Sequence, residues 1–371
     1  MTSHQLDPSR HEEDLFERLR ARLIAGEPAP TTEIPSAAVE GGEAATGESG
    51  PVDGAEGRDV APGGDSVAVA VPASSLPETT SGESARVLPI SGDPALPDPV
   101  DPVSTRHPAA DLPLPRIVAV ANQKGGVGKT TTAVNLGAAL AELGWRTLVV
   151  DLDPQGNATT GLGINARNLE SSVYDVLMHD VALAECVEPT SVRNLFVVPA
   201  TIDLAGAEIE LVPAFSRELR LKRALAEVHD EYDFMIIDCP PSLGLLTING
   251  LAAATEVLVP IQCEYYALEG LSQLLRNVNL VQTNLNPSLV VSAIILTMYD
   301  ARTKLADQVA AEVRQHFGPK VCRNVVPRTV RLSEAPSFGQ PITVFDSSSR
   351  GALAYRELAR EVSGGAPQRT G

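Results

Sequence analysis

Aromatic side chains are scarce in this chain: one tryptophan, six tyrosines and seven phenylalanines among 371 residues. Their placement matters more than their number. Residues 1–115 hold a single aromatic, Phe16, together with 16 of the 29 prolines, and carry 20 acidic against 7 basic side chains. A segment of net charge −13 with so few large apolar groups cannot bury enough surface to offset its chain entropy. It is expected to be a disordered acidic Pro/Gly/Ala-rich extension, and it leaves only −5 of the total −18 for residues 116–371. Clustered cysteines are missing as well. Cys186, Cys239, Cys263 and Cys322 stand far apart with no C-x-x-C, which excludes a disulfide framework or a zinc ribbon and fits a reducing cytoplasm. No apolar run reaches the roughly 18 residues of a membrane span, and the amino terminus lacks a secretory core, so no membrane partner is expected. A basic surplus is also absent, and any nucleic-acid contact must come from a local cluster.

Within the extension, residues 9–24 (S-R-H-E-E-D-L-F-E-R-L-R-A-R-L-I) differ from their surroundings. Ser9 with Glu12 makes a capping-box pattern, and Leu15, Phe16, Leu19 and Leu23 fall on one helical face. The spacing predicts a short amphipathic helix able to dock a polar or scaffold protein. Residues 25–115 read as a linker, and residues 363–371 as a flexible tail.

From residue 116 the pattern changes to short β-branched apolar runs alternating with helical periodicity, the mark of a parallel sheet wrapped by helices. Strands are expected at 117–120, 147–151, 195–199, 234–238, 257–261 and 289–297, and helices at 129–143, 216–228, 268–285, 305–317 and 351–362. Residues 116–362 thus read as one α/β domain with a doubly wound, mostly parallel sheet flanked by helices.

The first of these strands runs into A-N-Q-K-G-G-V-G-K-T-T-T-A-V-N, residues 121–135. Glycines at a strand-to-helix turn let backbone N–H groups close around phosphate oxygens, while the helix points its positive end at the same anion. Gly125, Gly126, Val127 and Gly128 would form the cradle of a P-loop, Lys129 would reach the β- and γ-phosphates, and Thr130 would ligate Mg²⁺, with Thr131 beside it. The standard P-loop has glycine where this chain has Gln123, and a second lysine, Lys124, stands inside the loop. In such a sheet ligands gather at the carboxyl ends of strands, and two further apolar runs end in aspartate. L-V-V-D-L-D offers Asp151 and Asp153; F-M-I-I-D offers Asp238, the form of a Walker B strand, whose carboxylate can serve Mg²⁺ opposite Thr130.

The loop K-G-G-x-G-K-[ST] resembles the deviant Walker A motif of a P-loop ATPase branch that includes ParA and MinD. Five longer strings strengthen a ParA/Soj-type resemblance: D-L-D-P-Q-G-N-A-T-T-G-L-G, A-G-A-E-I-E-L, D-C-P-P-S-L-G-L-L-T-I-N, Q-C-E-Y-Y-A-L-E-G-L and R-L-S-E-A-P-S-F-G. It covers residues 116–362 and says nothing of the extension. The resemblance implies a Mg²⁺-dependent ATPase, associated with the nucleoid, that forms an ATP-dependent homodimer. In it Lys124 crosses to the partner's phosphates and Asp153 positions the attacking water, with Asp151 a structural and metal-side neighbour. It further implies non-specific binding of double-stranded DNA and a ParB-type partner that stimulates hydrolysis, the cargo being replicated chromosome origins. The same switch could instead position a plasmid or a protein cluster; a MinD-like membrane ATPase is the more distant alternative. Arg302 and Arg331 fall where the family carries DNA-contacting arginines, and Lys320, Arg323 and Arg350 could widen the patch. Pro327 and Thr329 match the segment that borders adenine, which would turn Arg328 toward nucleotide.

Overall fold

Parallel strands covered by helices on both sides must be apolar on both faces, and the central runs meet that demand: β1 (Arg116–Val120), β2 (Thr147–Asp151) and β5 (Phe234–Asp238) are buried at every position. They belong to a computed structural model that describes residues 106–264 and 267–367. With β3 (Glu188–Pro189), β4 (Leu195–Val198), β6 (Glu256–Gln262) and β7 (Val290–Thr297) they form a seven-stranded sheet of order β3-β4-β2-β5-β1-β6-β7. Only the β3–β4 pairing is antiparallel. The six expected strands are all present, with ends shifted by one residue at most. β3 was not expected, because Glu-Pro has no strand pattern and pairs only as the edge neighbour of β4.

Alternate strand residues feed two cores, as the two-residue period of a strand requires. Ala119, Leu148, Val150, Met235, Ile237 and Val259 point to one face. It is covered by α3 (Val173–His179), α4 (Leu204–Glu210), α5 (Arg220–Glu227), α6 (Leu245–Ala253), α7 (Ala267–Asn284) and α8 (Lys304–Phe317). Val118, Val120, Val149, Phe234 and Ile236 point to the other, under α1 (Lys129–Leu143) and α11 (Arg350–Ser363), with α9 (Val330–Glu334) and α10 (Ile342–Phe345) beside them. The short α2 (Asn157–Gly161) follows β2. Gly137 lets α1 lie close on the sheet: a Cβ there would meet Val149 Cγ2 at 3.0 Å. The helical run expected at 216–228 is a 3₁₀ turn leading into α5. α3, α4 and α6 were not among the expected helices; Leu245–Ala253 is largely apolar, and its two polar residues, Thr247 and Asn249, are themselves buried, so it has no polar face to reveal a helical period.

Two boundary expectations need correction. The extension was expected to lack a core through residue 115, yet a short stretch before that is packed: His107, Ala109 and Ala110 are buried. His107 Nδ1 accepts from Ala109 N at 3.2 Å and caps the 3₁₀ turn Pro108–Asp111. The ring proton therefore sits on Nε2, which donates to Lys320 O at 3.3 Å. The tail was expected to be free from 363, but Trp145 Nε1 donates to Gly365 O at 3.0 Å. The helix expected at 9–24 lies outside the described residues. No helix among those described is long and apolar enough to cross a membrane.

Candidate functional site

The loop between β1 and α1 is held by the strands around it. Gly126 and Gly128 take φ values of 73° and 86°, a region open to glycine at little cost, and Gly128 is the N-cap of α1. Thr297, the last residue of β7, donates from Oγ1 to Val127 O at 2.8 Å. At the front of the loop Lys124 N donates to Asn122 Oδ1 at 3.0 Å, and the Asn122 amide donates to Pro260 O at 2.8 Å. A Cβ on Gly125 or Gly126 would meet nothing within 4 Å, so the backbone there borders open space. Lys129 is buried and turns back over the loop, donating from Nζ to Lys124 O at 3.3 Å. Burial lowers its pKa, and the Asp238 charge opposes the shift. Thr130 and Thr131 are half-buried at the start of α1.

Three aspartates converge beside this loop. Asp151 and Asp238 end β2 and β5 directly opposite one another, and Asp238 also pairs in register with Val120, the last residue of β1. Their roles divide by hydrogen bonding. Asp151 Oδ2 accepts from Thr159 N at 2.8 Å and Thr159 Oγ1 at 2.7 Å, and its Oδ1 accepts from Asp153 N at 3.2 Å. Its carboxylate organises the turn that presents Asp153. Burial pushes the Asp151 pKa up to about 6 against those hydrogen bonds. Asp153 is buried and accepts from Gln155 N at 3.0 Å through Oδ1. Asp238 is fully buried, and neither of its oxygens receives a well-formed hydrogen bond, although the Thr130 hydroxyl is close enough to act on it. Burial first, and the Asp151 charge second, raise its pKa well above the ordinary carboxylate value, with Thr130 and Lys129 on its other side as opposing influences. A buried carboxylate beside a threonine hydroxyl offers oxygens of the kind a hard cation takes.

A cavity of about 330 Å³ adjoins the loop, lined among others by Gly128, Thr131, Thr297, Pro327, Thr329 and Tyr355. The expected base-bordering residues Pro327 and Thr329 are therefore beside the glycine loop, and Arg328 lines the same space. Sequence reasoning missed Thr297 and Tyr355. Thr297 carried one usable signal, a polar residue closing an apolar strand; Tyr355 carried none, since it is a core residue of α11 that donates or accepts with Thr132 Oγ1 at 3.3 Å.

The two arginines expected to meet DNA are placed differently from the residues expected to hold nucleotide. Arg302 is 87% exposed in its side chain and grips Asp300 at 2.7 Å, an interaction that holds the Asp300 carboxyl well below its usual range. Arg331 contacts Glu334 at 3.0 Å and Asp346 at 3.4 Å. Arg323 leans on Glu361 at 3.6 Å. Tyr299 N donates to Val326 O at 3.0 Å and Arg328 N to Tyr299 O at 3.1 Å, so the loop after β7 lies against the segment before α9. Away from this region, His107, Cys322 and Glu361 bring metal-type donor atoms within 4.8 Å of one another. They do not make a metal centre: His107 Nε2 carries its proton, and Glu361 accepts from Arg323 N at 2.7 Å and from Asn324 Nδ2 at 2.8 Å. All four cysteines are free and buried.

An AAA domain family profile matches residues 115–291. The chain is 61% identical over 248 residues to the sporulation initiation inhibitor protein Soj of Bacillus subtilis, spanning 67% of this chain and 98% of that protein. It is 56% identical over 247 residues to the chromosome partitioning protein ParA of Myxococcus xanthus, spanning 67% of this chain and 87% of that one. Among solved structures, it is similar to the cobyrinic acid a,c-diamide synthase of Mycobacterium smegmatis with bound ADP and magnesium. That likeness has a TM-score of 0.59 and 44% identity, covering 69% of this chain and 99% of that one. Identity to the two partitioning relatives is the higher.

Proposed function

The chain belongs to the Soj/ParA family of chromosome-partitioning ATPases, and we propose that it works as an ATP-dependent dimer that binds DNA without sequence preference and segregates replicated origins with a ParB-type partner. The observation that carries this reading is the meeting of Lys124, Lys129, Asp153 and Asp238 at one end of the sheet, with Asp238 buried and unpaired. Relatives of known structure bind ADP and magnesium, and the residues here fit both. The loop amides and α1 suit a phosphate, and Thr130 with Asp238 supplies the hard oxygens that Mg²⁺ takes.

Bound Mg²⁺ would neutralise charge on the β- and γ-phosphates during transfer. The remaining work falls to the chain. Lys129, poorly solvated and held over the loop, places a fixed positive charge against the phosphates, where low dielectric strengthens it. Asp153 orients the attacking water and accepts its proton, on a turn that Asp151 fixes through Thr159. Lys124 extends from the loop toward a second copy's phosphates. Pro327 and Thr329 border the base, and Arg302 and Arg331 meet DNA phosphate, with the extension free to recruit a positioning partner through residues 9–24.

Light scattering with ATP and Mg²⁺, paired with an ATPase assay, tests the division of labour. Wild type should dimerise only with nucleotide. Lys124→Ala should bind ATP and stay monomeric, while Asp153→Ala should form a trapped dimer with hydrolysis reduced by about 10²–10⁴-fold. An ATP-dependent Lys124→Ala dimer, or undiminished hydrolysis by Asp153→Ala, would overturn it.

A further inference from the structure

Lys124 has a second set of contacts that its reach toward another subunit does not explain. Its Nζ lies 3.2 Å from Glu264 Oε2 of the same chain. The pairing is built rather than incidental on three counts. Glu264 stands two residues past the end of β6, where its carbonyl accepts from Ala267 N at 3.0 Å as α7 begins, so its backbone is fixed. Its other carboxylate oxygen accepts from Gln262 Nε2 at 2.5 Å, which restricts the rotamer. Lys124 is tied to the same strand by the Asn122 bridge to Pro260 O. Lysine and glutamate are 140 residues apart, yet both sit at the carboxyl ends of adjacent strands, β1 and β6.

We infer that Glu264 is a positioning residue that parks Lys124 against its own subunit, so that nucleotide-driven pairing of two copies must first break this ion pair. The inference rests on the inter-subunit role given to Lys124 above. Both side chains remain partly exposed, 33% for Lys124 and 49% for Glu264, so the restraint is modest: pairs of this kind shift an equilibrium by about 1.4- to 5-fold each. A dimer breaks two of them. Neutralising Glu264 should therefore tighten dimerisation by the square of that factor, about 2- to 25-fold. The exposed pair is also screened by salt, which a purely structural role of the side chain would not be. Glu264 thus sets the concentration at which ATP assembles the protein without touching the nucleotide.

The test measures the dimer dissociation constant by sedimentation with a non-hydrolysable ATP analogue and Mg²⁺, for wild type, Glu264→Gln, Glu264→Asp, Lys124→Ala and the Lys124→Ala/Glu264→Gln double variant, in about 50 mM and 500 mM salt. Glu264→Gln should dimerise more tightly than wild type at low salt, with the advantage shrinking at high salt. Glu264→Asp should retain part of the restraint, and the double variant should be as monomeric as Lys124→Ala. Unchanged or weaker dimerisation of Glu264→Gln at low salt overturns the parking role while leaving the dimer reading intact. If wild type fails to dimerise with nucleotide, or Lys124→Ala dimerises as wild type does, the reading itself falls and this inference with it.

Discussion

The two ends of the sheet treat buried charge in opposite ways. At the end where the strands begin, Arg116 and Glu256 form a buried pair with contacts of 2.5 and 2.8 Å, and the third arm of the guanidinium donates to Val362 O at 2.7 Å. Nearby, Glu361 is satisfied by Arg323 N and Asn324. At the end where the strands finish, Asp238 is just as buried but receives no well-formed hydrogen bond, and burial lowers the pKa of Lys129 beside it. Water-free, unpaired charge costs free energy. A fold that closes such a ledger at one end and leaves it open at the other is built to have the open end completed by a ligand.

Removing one charge at each end breaks or sharpens that comparison most strongly. Arg116→Met leaves Glu256 buried alone and should destabilise the protein by about 3–5 kcal/mol, visible as a large drop in Tm. Asp238→Asn removes an unpaired carboxylate and should leave the ligand-free protein as stable as wild type or more so. Yet it should lose the stabilisation by Mg²⁺ and ATP, which for wild type at a hundredfold excess over Kd is about 2.7 kcal/mol. Equal destabilisation by the two variants in the absence of ligand would erase the distinction.

A smaller effect belongs to His107, which joins the start of the described chain to Lys320. Burial lowers its pKa from 6.5, with Glu361 opposing, so the folded protein holds it neutral. As pH falls through 6.5 the unfolded chain takes a proton that the folded one refuses, and stability must fall with it. His107→Ala should cost about 1–3 kcal/mol at pH 7.5, from the unpaired Ala109 N–H and Lys320 carbonyl. The gap to wild type should narrow toward pH 5. A pH-independent gap in denaturant titrations would show that the ring is not the anchor.

These contrasts also mark what was legible in the sequence. The glycine loop, Asp151, Asp153 and Asp238 were readable because each lies where a strand must end, and the local chain dictates the backbone there. Pro327 and Thr329 were readable only through the family resemblance. The Lys124–Glu264 pair and the Thr297–Val127 clamp join residues 140 and 170 positions apart, and no local pattern encodes which distant strands become neighbours. The packing of residues 106–111 escaped notice for a related reason: composition averaged over 115 residues hides a short segment whose partners, Lys320 and Cys322, come from the far end of the chain. The acid partners of the two outlying arginines were in plain view as D-A-R and R-L-S-E, at spacings of two and three residues.

Those arginines test the comparison where it is weakest, because they are exposed and already paired. Buried carboxylate without a well-formed hydrogen bond marks the proposed nucleotide site, whereas Arg302 on Asp300 and Arg331 between Glu334 and Asp346 carry no such sign. If they hold DNA, phosphate must displace or outweigh the local carboxylates, so each arginine contributes less than an unpaired one would. Arg302→Ala and Arg331→Ala should each weaken binding to any duplex by a few-fold and lower the salt slope by less than the roughly 0.9 expected of a full phosphate contact. Asp300→Asn, which frees Arg302, should move affinity and slope the opposite way, toward tighter and more salt-sensitive binding. Fluorescence anisotropy with an unrelated-sequence duplex across a salt series measures all three. If Asp300→Asn leaves both quantities unchanged, Arg302 does not meet DNA, and the basic surface lies elsewhere on the domain.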